Sequence, residues 1–168
     1  MNDETSLKHK FLEDSRMSFQ EVYNFAFKYQ ARMYRALAQE FGEERFMEVL
    51  RRLASEDGLR VGQKDGRRAS CNDFAAYVAE MKDRYYFSDH VLTFEIVEET
   101  PTTFETKVTE CLWAKTFREI GAADIGHALI CHPDYASCQG FNPRITMHRS
   151  KTLMQGDDHC NHRWVWEE

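Results

Sequence analysis

Apolar side chains recur at three- and four-residue steps near the start of the chain, a spacing typical of one face of an α-helix. Ser18, followed by Glu21, forms a capping-box pattern that marks the first residue of this helix. Gly42 is expected to end it. The stripe comprises Phe19, Val22, Tyr23, Ala26, Met33, Tyr34, Leu37 and Phe41. It predicts one long helix with a single apolar face.

Two further helices are predicted in this half of the chain. The second carries its apolar positions at Phe46, Val49, Leu50 and Leu53. Residues 56–70 contain three glycines and many charged side chains, which predicts a mobile loop. The third helix is expected over about residues 72–87, where the apolar side is formed by Phe74, Val78, Met81 and Tyr85.

The apolar period changes to two after residue 91, as in a half-buried strand. Leu92, Phe94 and Ile96 alternate with other side chains, and a turn at residues 99–102 leads to a second alternating run, which predicts an antiparallel hairpin. The second run comprises Phe104, Thr106 and Val108. Short helices are then expected over about residues 113–120 and 123–131, and two more strands over about 144–153 and 160–167, joined by a turn at 156–158.

This order of elements predicts an α+β fold. We expect an antiparallel sheet of about four strands, packed on one face with the N-terminal helices and the inserted short helices. One domain is expected over residues 1–168, helical to about residue 88 and sheet-containing from about residue 89.

Composition narrows the class of protein. The chain has 168 residues, is 42% hydrophobic and carries a net charge of −6, which argues against disorder and against a general nucleic-acid surface. Its longest apolar run, Phe74–Ala79, is far too short for a membrane helix. The acidic N-terminus lacks the pattern of a secretory signal. We therefore expect a cytoplasmic protein with five reduced cysteines and no nucleic-acid or membrane partner.

Cys111 is the first candidate for chemistry. It falls where the second strand gives way to a helix, and the unpaired N–H groups at a helix start favour a thiolate. A nucleophilic cysteine would benefit from that place. A small buried residue at a packing junction explains the position equally well.

Two further clusters hold reactive groups. Cys131-His132-Pro133-Asp134 gathers a thiol, an imidazole and a carboxylate at a helix junction, although a capping carboxylate beside a buried thiol would give the same pattern. Cys160 and His162 lie on one strand face with two tryptophans, which suits a pocket wall and a core equally.

Metal binding is a minority alternative. The chain has no Cys-x-x-Cys pair and no His-Glu-x-x-His motif, so we expect no metal and no cofactor. A site built from Cys111, Cys131, Cys160 and a histidine stays open if these elements converge. Cys71 and Cys138 are interpreted as bystanders.

Several motifs in this order resemble the L-2-amino-thiazoline-4-carboxylic acid hydrolase family. They are Cys111, Cys131-His132-Pro133-Asp134, Phe141-Asn142-Pro143, Lys151-Thr152-Leu153-Met154 and Gly156-Asp157-Asp158-His159-Cys160. The resemblance covers about the last 60 to 80 residues, and the N-terminal helices match in type. It implies hydrolysis of a small cyclic, amidine-like carbon–nitrogen bond, in the family's name reaction opening an aminothiazoline ring.

The resemblance also suggests roles for residues. Cys111 is the candidate nucleophile, Asp134 with His132 is the candidate general base or acid, and Cys131 and Cys160 line the site or replace the nucleophile. A substrate carboxylate would be held by a cation, because guanidinium groups bind carboxylates with two hydrogen bonds. The candidate substrate-binding residues are Trp113, Asn142, Arg144, Lys151, Asp157 and Arg163.

Two other functions stay open beside a cysteine-assisted hydrolase. One is a non-catalytic domain that binds or senses a small ligand, and the other is a metal-dependent hydrolase that uses the same thiols. In each case the expected partner is a small molecule. The aromatic stripe of the first helix is also compatible with a homodimer, in which it would pack against a second subunit.

Overall fold

A computed structural model describes residues 18–88 and 91–167. Its helices are α1 (Phe19–Phe41), α2 (Glu43–Arg68), α3 (Phe74–Ser88), α4 (Leu112–Glu119), α5 (Ala123–Gly126) and α6 (Pro133–Phe141). Its strands are β1 (Leu92–Glu99), β2 (Thr103–Cys111), β3 (Ile145–His148) and β4 (Cys160–Trp166). The predicted α+β fold is confirmed. The expectations for residues 1–17, 89, 90 and 168 lie outside the described residues.

The four strands form one antiparallel sheet in the order β1-β2-β4-β3. The predicted β1–β2 hairpin is confirmed, and β4 lies between β2 and β3. Alternate β2 residues (Phe104, Thr106 and Val108) point into the core, where α3 and α6 cover the sheet. Cys160 pairs with Val108, which places the start of β4 beside the end of β2.

The strand predicted over residues 144–153 is wrong beyond His148. Residues 149–159 instead form a loop with a single 3₁₀ turn at Leu153–Gln155. Side-chain oxygens accept hydrogen bonds from main-chain N–H groups that would otherwise pair with a neighbouring strand. Asp157 Oδ2, for example, accepts from the Thr152 N–H at 2.7 Å. Asn161 Oδ1 likewise accepts from two N–H groups at 3.1 and 2.7 Å. Hydrogen bonds from nearby side chains to the main chain therefore hold the loop in place.

Helix α1 begins at the predicted capping box, in which Ser18 and Glu21 bond each other's main-chain N–H groups. Its inner face packs on α2 and on the short helices through Phe27, Ala31 and Tyr34. The predicted single apolar face is wrong, because four of the large members of the stripe are exposed to solvent. These are Val22, Met33, Leu37 and Phe41. In the described part of the chain, no helix is long and apolar enough to cross a membrane.

The loop predicted over residues 56–70 is also wrong, because α2 continues as a helix to Arg68. Its glycines Gly58, Gly62 and Gly66 are spaced by four and lie on one face, directly against α6. A Cβ added at these positions would lie 2.6 Å from Pro133 O, 1.9 Å from Ser137 O and 2.6 Å from Phe141 O. The glycines therefore allow two backbones to touch, which is a packing role and not a source of flexibility.

The helix predicted over residues 123–131 changes type along its length. Its first turn is α5, and His127–Cys131 is a π-helical segment closed by the His132 N–H, which donates to His127 O at 2.9 Å. Pro133 then occupies the first turn of α6, where its missing N–H has no cost. The chain thus passes from α5 to α6 with Cys131, His132 and Asp134 gathered at the junction.

Candidate active site

Cys111 is the last residue of β2 and the N-cap of α4, as the sequence predicted. Its Sγ accepts a hydrogen bond from the Ala114 N–H at 3.4 Å. Burial nevertheless raises the pKa of the Cys111 thiol to about 11, and the neighbouring Cys160 and Asp134 raise it further against the opposing N–H groups. The N–H groups at the helix start do favour the thiolate, but loss of solvation outweighs them.

The other two candidate thiols meet at Thr152 and Leu153. Cys131 Sγ lies 3.9 Å from Thr152 Oγ1, and Cys160 Sγ accepts from the Leu153 N–H at 3.2 Å. Burial raises the pKa of the Cys131 thiol to about 12, although the positive charge of Arg149 opposes the shift. The Cys131 thiol is therefore neutral near pH 7.

Asp134 is held by a buried arginine. Arg149 Nη1 lies 2.8 Å from Asp134 Oδ2, and Arg149 Nη2 donates to Cys131 O at 2.6 Å. The guanidinium also covers the Tyr135 ring, with Cζ 5.0 Å from its centroid. The arginine side chain is 2% exposed and the aspartate 41%, so the carboxylate faces outward from a fixed, desolvated cation.

These contacts bring Cys111, Cys131, Asp134 and Cys160 into one region. The charge of Asp134 raises the pKa of both Cys111 and Cys131. Cys160 also raises the pKa of Cys111, and Cys111 raises that of Cys131. Cys111, Cys131 and Leu153 pack against the same buried apolar cluster. The region therefore combines three thiols with one carboxylate that is ion-paired to Arg149.

Two imidazoles border this region. Burial lowers the pKa of His132, and the nearby Arg51 and Arg149 lower it further. His162 lies two residues beyond Cys160 on the core face of β4, 5.6 Å edge-on to Trp164. Burial, with Arg149 adding, lowers its pKa to about 3. Both rings are therefore neutral bases at pH 7.

A groove with a volume of about 780 Å³ opens on Cys111. Its walls come from the β1–β2 hairpin, from α4 and from Leu153. Lys115 and Arg118, one and two turns into α4, supply its cations, and Arg118 Nη1 donates to Leu153 O at 3.3 Å. Glu110 and Glu119 also line it. The groove can hold a small molecule against the thiol at its base.

Two predicted substrate-binding residues lie far from this region. Arg144 stacks on Trp166, with Cζ 4.7 Å from the ring, and Arg144 Nε donates to Glu167 O at 2.8 Å. The β4 residues from Cys160 to Trp166 span about 20 Å, so Arg144 lies at the opposite end of the sheet. Asn142 caps the far end of α6 and donates to Asn72 O at 2.6 Å. Both have structural partners there.

Three more predicted binding residues lie on β4 or on the loop before it and have partners of their own. Arg163 is on the outer face of the sheet and pairs with Glu98 and Glu105. Lys151 pairs with Asp158 at 2.9 Å, and the Asp157 carboxylate holds the main chain of the loop after β3.

Trp113 is half-buried in the first turn of α4. Its ring lies 5.3 Å edge-on to Tyr23 of α1. It supports the helix that carries Cys111, and the groove is lined by its neighbours Leu112 and Ala114.

Sequence reasoning missed Arg149, Lys115 and Arg118 as members of the site. Arg149 follows the short β3 strand, and nothing in its local pattern distinguishes it from an exposed arginine. The helical spacing of Cys111, Lys115 and Arg118 was a usable signal, since residues three and four apart share a helix face. Thr152 was present in the quoted Lys-Thr-Leu-Met motif but was not assigned a role.

The thiols do not form a metal site in the described residues. Within residues 18–88 and 91–167, no three His, Cys, Asp or Glu side chains are grouped so that they could hold a metal ion. The structure thus supplies no ligand set for the metal-dependent alternative. Cys138 lies in the core, with Sγ 3.1 Å from Tyr135 O, and Cys71 is exposed.

Solved structures share this fold at low sequence identity. The phenol-responsive sensory domain of the transcription activator PoxR, solved with phenol, has a TM-score of 0.54 and 14% identity, over 83% of this chain and 73% of that one. Subunit 3 of a trafficking protein particle complex from Naegleria fowleri, covalently bound to palmitic acid, has a TM-score of 0.50 and 14% identity, over 84% and 95%. These likenesses concern the fold alone.

No curated protein matches the chain in sequence. The family model for L-2-amino-thiazoline-4-carboxylic acid hydrolase, however, matches residues 20–164, a span that includes the N-terminal helices as well as the thiol region. The chain belongs to the L-2-amino-thiazoline-4-carboxylic acid hydrolase family.

Proposed function

We propose that this protein hydrolyses a small cyclic, amidine-like carbon–nitrogen bond in a molecule that also carries a carboxylate. The position of Cys111 carries the proposal. Its side chain lines the open groove, and the charges of Cys160 and of Asp134, which is ion-paired to Arg149, act on its thiol. A substrate in the groove would therefore meet a nucleophile with an acid–base group behind it.

The covalent step fits a neutral thiol. As Cys111 Sγ bonds to the amidine carbon, its proton passes to the Asp134 carboxylate and then to the ring nitrogen, whose bond to that carbon breaks. Water next attacks the same carbon, the carbon–sulfur bond breaks, and the proton from water restores the thiol. The Ala114 N–H at the start of α4 stabilises the sulfur whenever it carries negative charge.

Arg149 acts as a positioning residue in this proposal. Its bonds to Asp134 Oδ2 and Cys131 O fix the carboxylate relative to the junction between the π segment and α6. The substrate carboxylate is assigned to Lys115 and Arg118, because these are the cations that line the groove.

The direct test measures turnover of L-2-amino-thiazoline-4-carboxylate by the wild type, Cys111→Ala and Cys71→Ala. We expect the first variant to lose turnover by at least about a thousandfold, since removal of a nucleophile leaves only binding and polar stabilisation. The control removes an exposed thiol outside the groove and should retain activity. A Cys111→Ala protein that turns over at the wild-type rate would show that the assignment is wrong.

The carboxylate assignment has its own test. Lys115→Met and Arg118→Met should each raise KM for the acid, and the uncharged amide of the substrate should be much less affected. Arg144→Met, which removes a cation at the other end of the sheet, should leave KM unchanged. Equal effects on acid and amide would contradict a carboxylate contact in the groove.

A non-catalytic ligand-binding domain is the second candidate. It is favoured by the raised pKa values of Cys111 and Cys131, and by two structural relatives that are described with small molecules bound. In that case the aminothiazoline acid would raise the melting temperature without being consumed. Product formation followed by mass spectrometry separates the two functions.

A further inference from the structure

Helix α1 has a second apolar face that is exposed among the residues that the structure describes. The inner face packs into the protein, whereas six large apolar side chains line the outer face along the whole helix. These are Val22, Phe25, Tyr29, Met33, Leu37 and Phe41, which we call the outer stripe. Phe25, Tyr29 and Phe41 are 81%, 71% and 69% exposed. A single exposed apolar residue is ordinary, but a continuous row of six is not.

The area of the outer stripe is close to what a dimer requires. An aromatic side chain presents about 150–250 Å², so the six residues expose on the order of 600 Å² of mainly apolar surface. A standard protein interface buries about 800 Å² on each partner. The polar rim of α1 would supply the difference, since interfaces combine an apolar centre with a polar edge.

The spacing of the outer stripe suits a second copy of the same helix. Phe25, Tyr29, Met33, Leu37 and Phe41 are each four residues apart, so the ridge is symmetric about Met33. Antiparallel pairing about a two-fold axis at Met33 sets Phe25 against Phe41 of the other copy and Tyr29 against Leu37. Met33 then meets its own counterpart. An isologous contact needs a patch that is complementary to itself in this way.

We propose that two copies of this chain associate through the outer stripe of α1, with Met33 at the two-fold axis. The groove on Cys111 lies at the β1–β2 hairpin and α4, and none of its lining residues belongs to the stripe. The association is therefore independent of the proposed hydrolysis. Experiments could therefore disprove the association without disproving the hydrolysis, and the reverse.

Light scattering after size exclusion tests the association, with wild type, Met33→Glu and Val97→Glu compared at about 50 μM. The wild type and the Val97 variant should each have twice the chain mass of 19.8 kDa. Met33→Glu should have the mass of one chain, because two carboxylates would meet at the axis and raise the dissociation constant by about a hundredfold or more. Val97, 56% exposed on β1, is a matched apolar position outside the stripe.

Cross-linking tests the register. In a Cys71→Ser background, Met33→Cys should form an intermolecular disulfide on mild oxidation, and Val97→Cys should not. A wild type that stays monomeric at 50 μM would overturn the proposal, whether the stripe binds another protein or nothing. So would a dimer that survives Met33→Glu and leaves Met33→Cys uncross-linked. Unchanged far-ultraviolet circular dichroism in Met33→Glu separates loss of association from loss of folding.

Discussion

Gly62→Ala tests whether the glycines of α2 serve packing or flexibility. Gly62 lies in the middle of α2, where helix propensity alone predicts that alanine stabilises the protein by up to about 1 kcal/mol. The structure predicts the opposite sign. A Cβ at this position would lie 1.9 Å from Ser137 O and 2.8 Å from the Phe141 nitrogen, and both are backbone atoms of α6.

The size of the effect follows from that geometry. An ordinary contact needs at least 3.4 Å, so α2 and α6 must separate by roughly 1.5 Å, the difference from the 1.9 Å at Gly62. Overpacking a close contact costs about 1–3 kcal/mol, and the upper end applies because backbone cannot rotate away. With the propensity gain subtracted, we expect a net loss of about 2 kcal/mol. For a chain of this size the melting temperature would fall by about 4–8 °C.

Thermal and urea unfolding followed by circular dichroism at 222 nm measure this loss. Gln63→Ala is the matched control, since Gln63 is exposed on the same helix and its replacement should change stability by less than about 0.5 kcal/mol. A Gly62→Ala protein as stable as the wild type, or more so, would refute the close contact. The variant should also lose turnover of the aminothiazoline acid, because α6 carries Asp134.

Three further predictions concern the charged and titratable groups. Arg149→Met should lower the free energy of unfolding by about 2–3 kcal/mol in urea titrations, since it removes the charge-assisted bonds that a buried guanidinium donates to Asp134 and to Cys131 O. Arg163→Met, which breaks only exposed ion pairs, should cost less than about 1 kcal/mol. Iodoacetamide mapped by mass spectrometry should modify Cys71 first, and its rate at Cys111 should rise about tenfold per pH unit toward pH 11, because only the thiolate reacts. A Cys111 rate that levels off below pH 9 would contradict burial of the thiol. His162 has its pKa lowered to about 3, so the unfolded chain binds an extra proton below pH 6.5. The contribution of His162 to stability should then fall as the pH drops from 6.5 toward 3, by up to about 1.4 kcal/mol per unit, and His162→Phe should make the slope shallower by that amount.

Local patterns predicted most of the elements because each depends on short-range physics. The capping box at Ser18 and Glu21 formed as expected, since it needs only residues three apart. The β1–β2 hairpin followed from alternation. The prediction of a loop over residues 56–70 failed because glycine in a sequence can serve either of two structural roles. Flexibility and close backbone contact look alike until the partner α6 is known.

The candidate site likewise has features that the sequence predicted and features that depend on tertiary packing. The order of motifs predicted the region around Cys111, Cys131, Asp134 and Cys160, and the family match agrees with the resemblance that they carry. The motifs did not predict Arg149, whose burial arises only when β3, the π segment and α6 pack together. Arg144 lies at the far end of the sheet from Cys160 for a similar reason, because nearness along the chain does not give nearness across a sheet.

The sequence by itself determined the helix starts, the strand pairing of the hairpin, the α+β class and the family, because these depend on local spacing and on motif order. The tertiary structure alone decided how strongly burial opposes the thiolate form of Cys111. A helix terminus next to Cys111 favours the thiolate, but the depth of burial sets the larger opposing energy and raises the pKa to about 11. The tertiary structure also decided which side of α1 is covered by other elements of the protein. Periodicity identifies apolar positions, and only packing shows which of them still lack a partner.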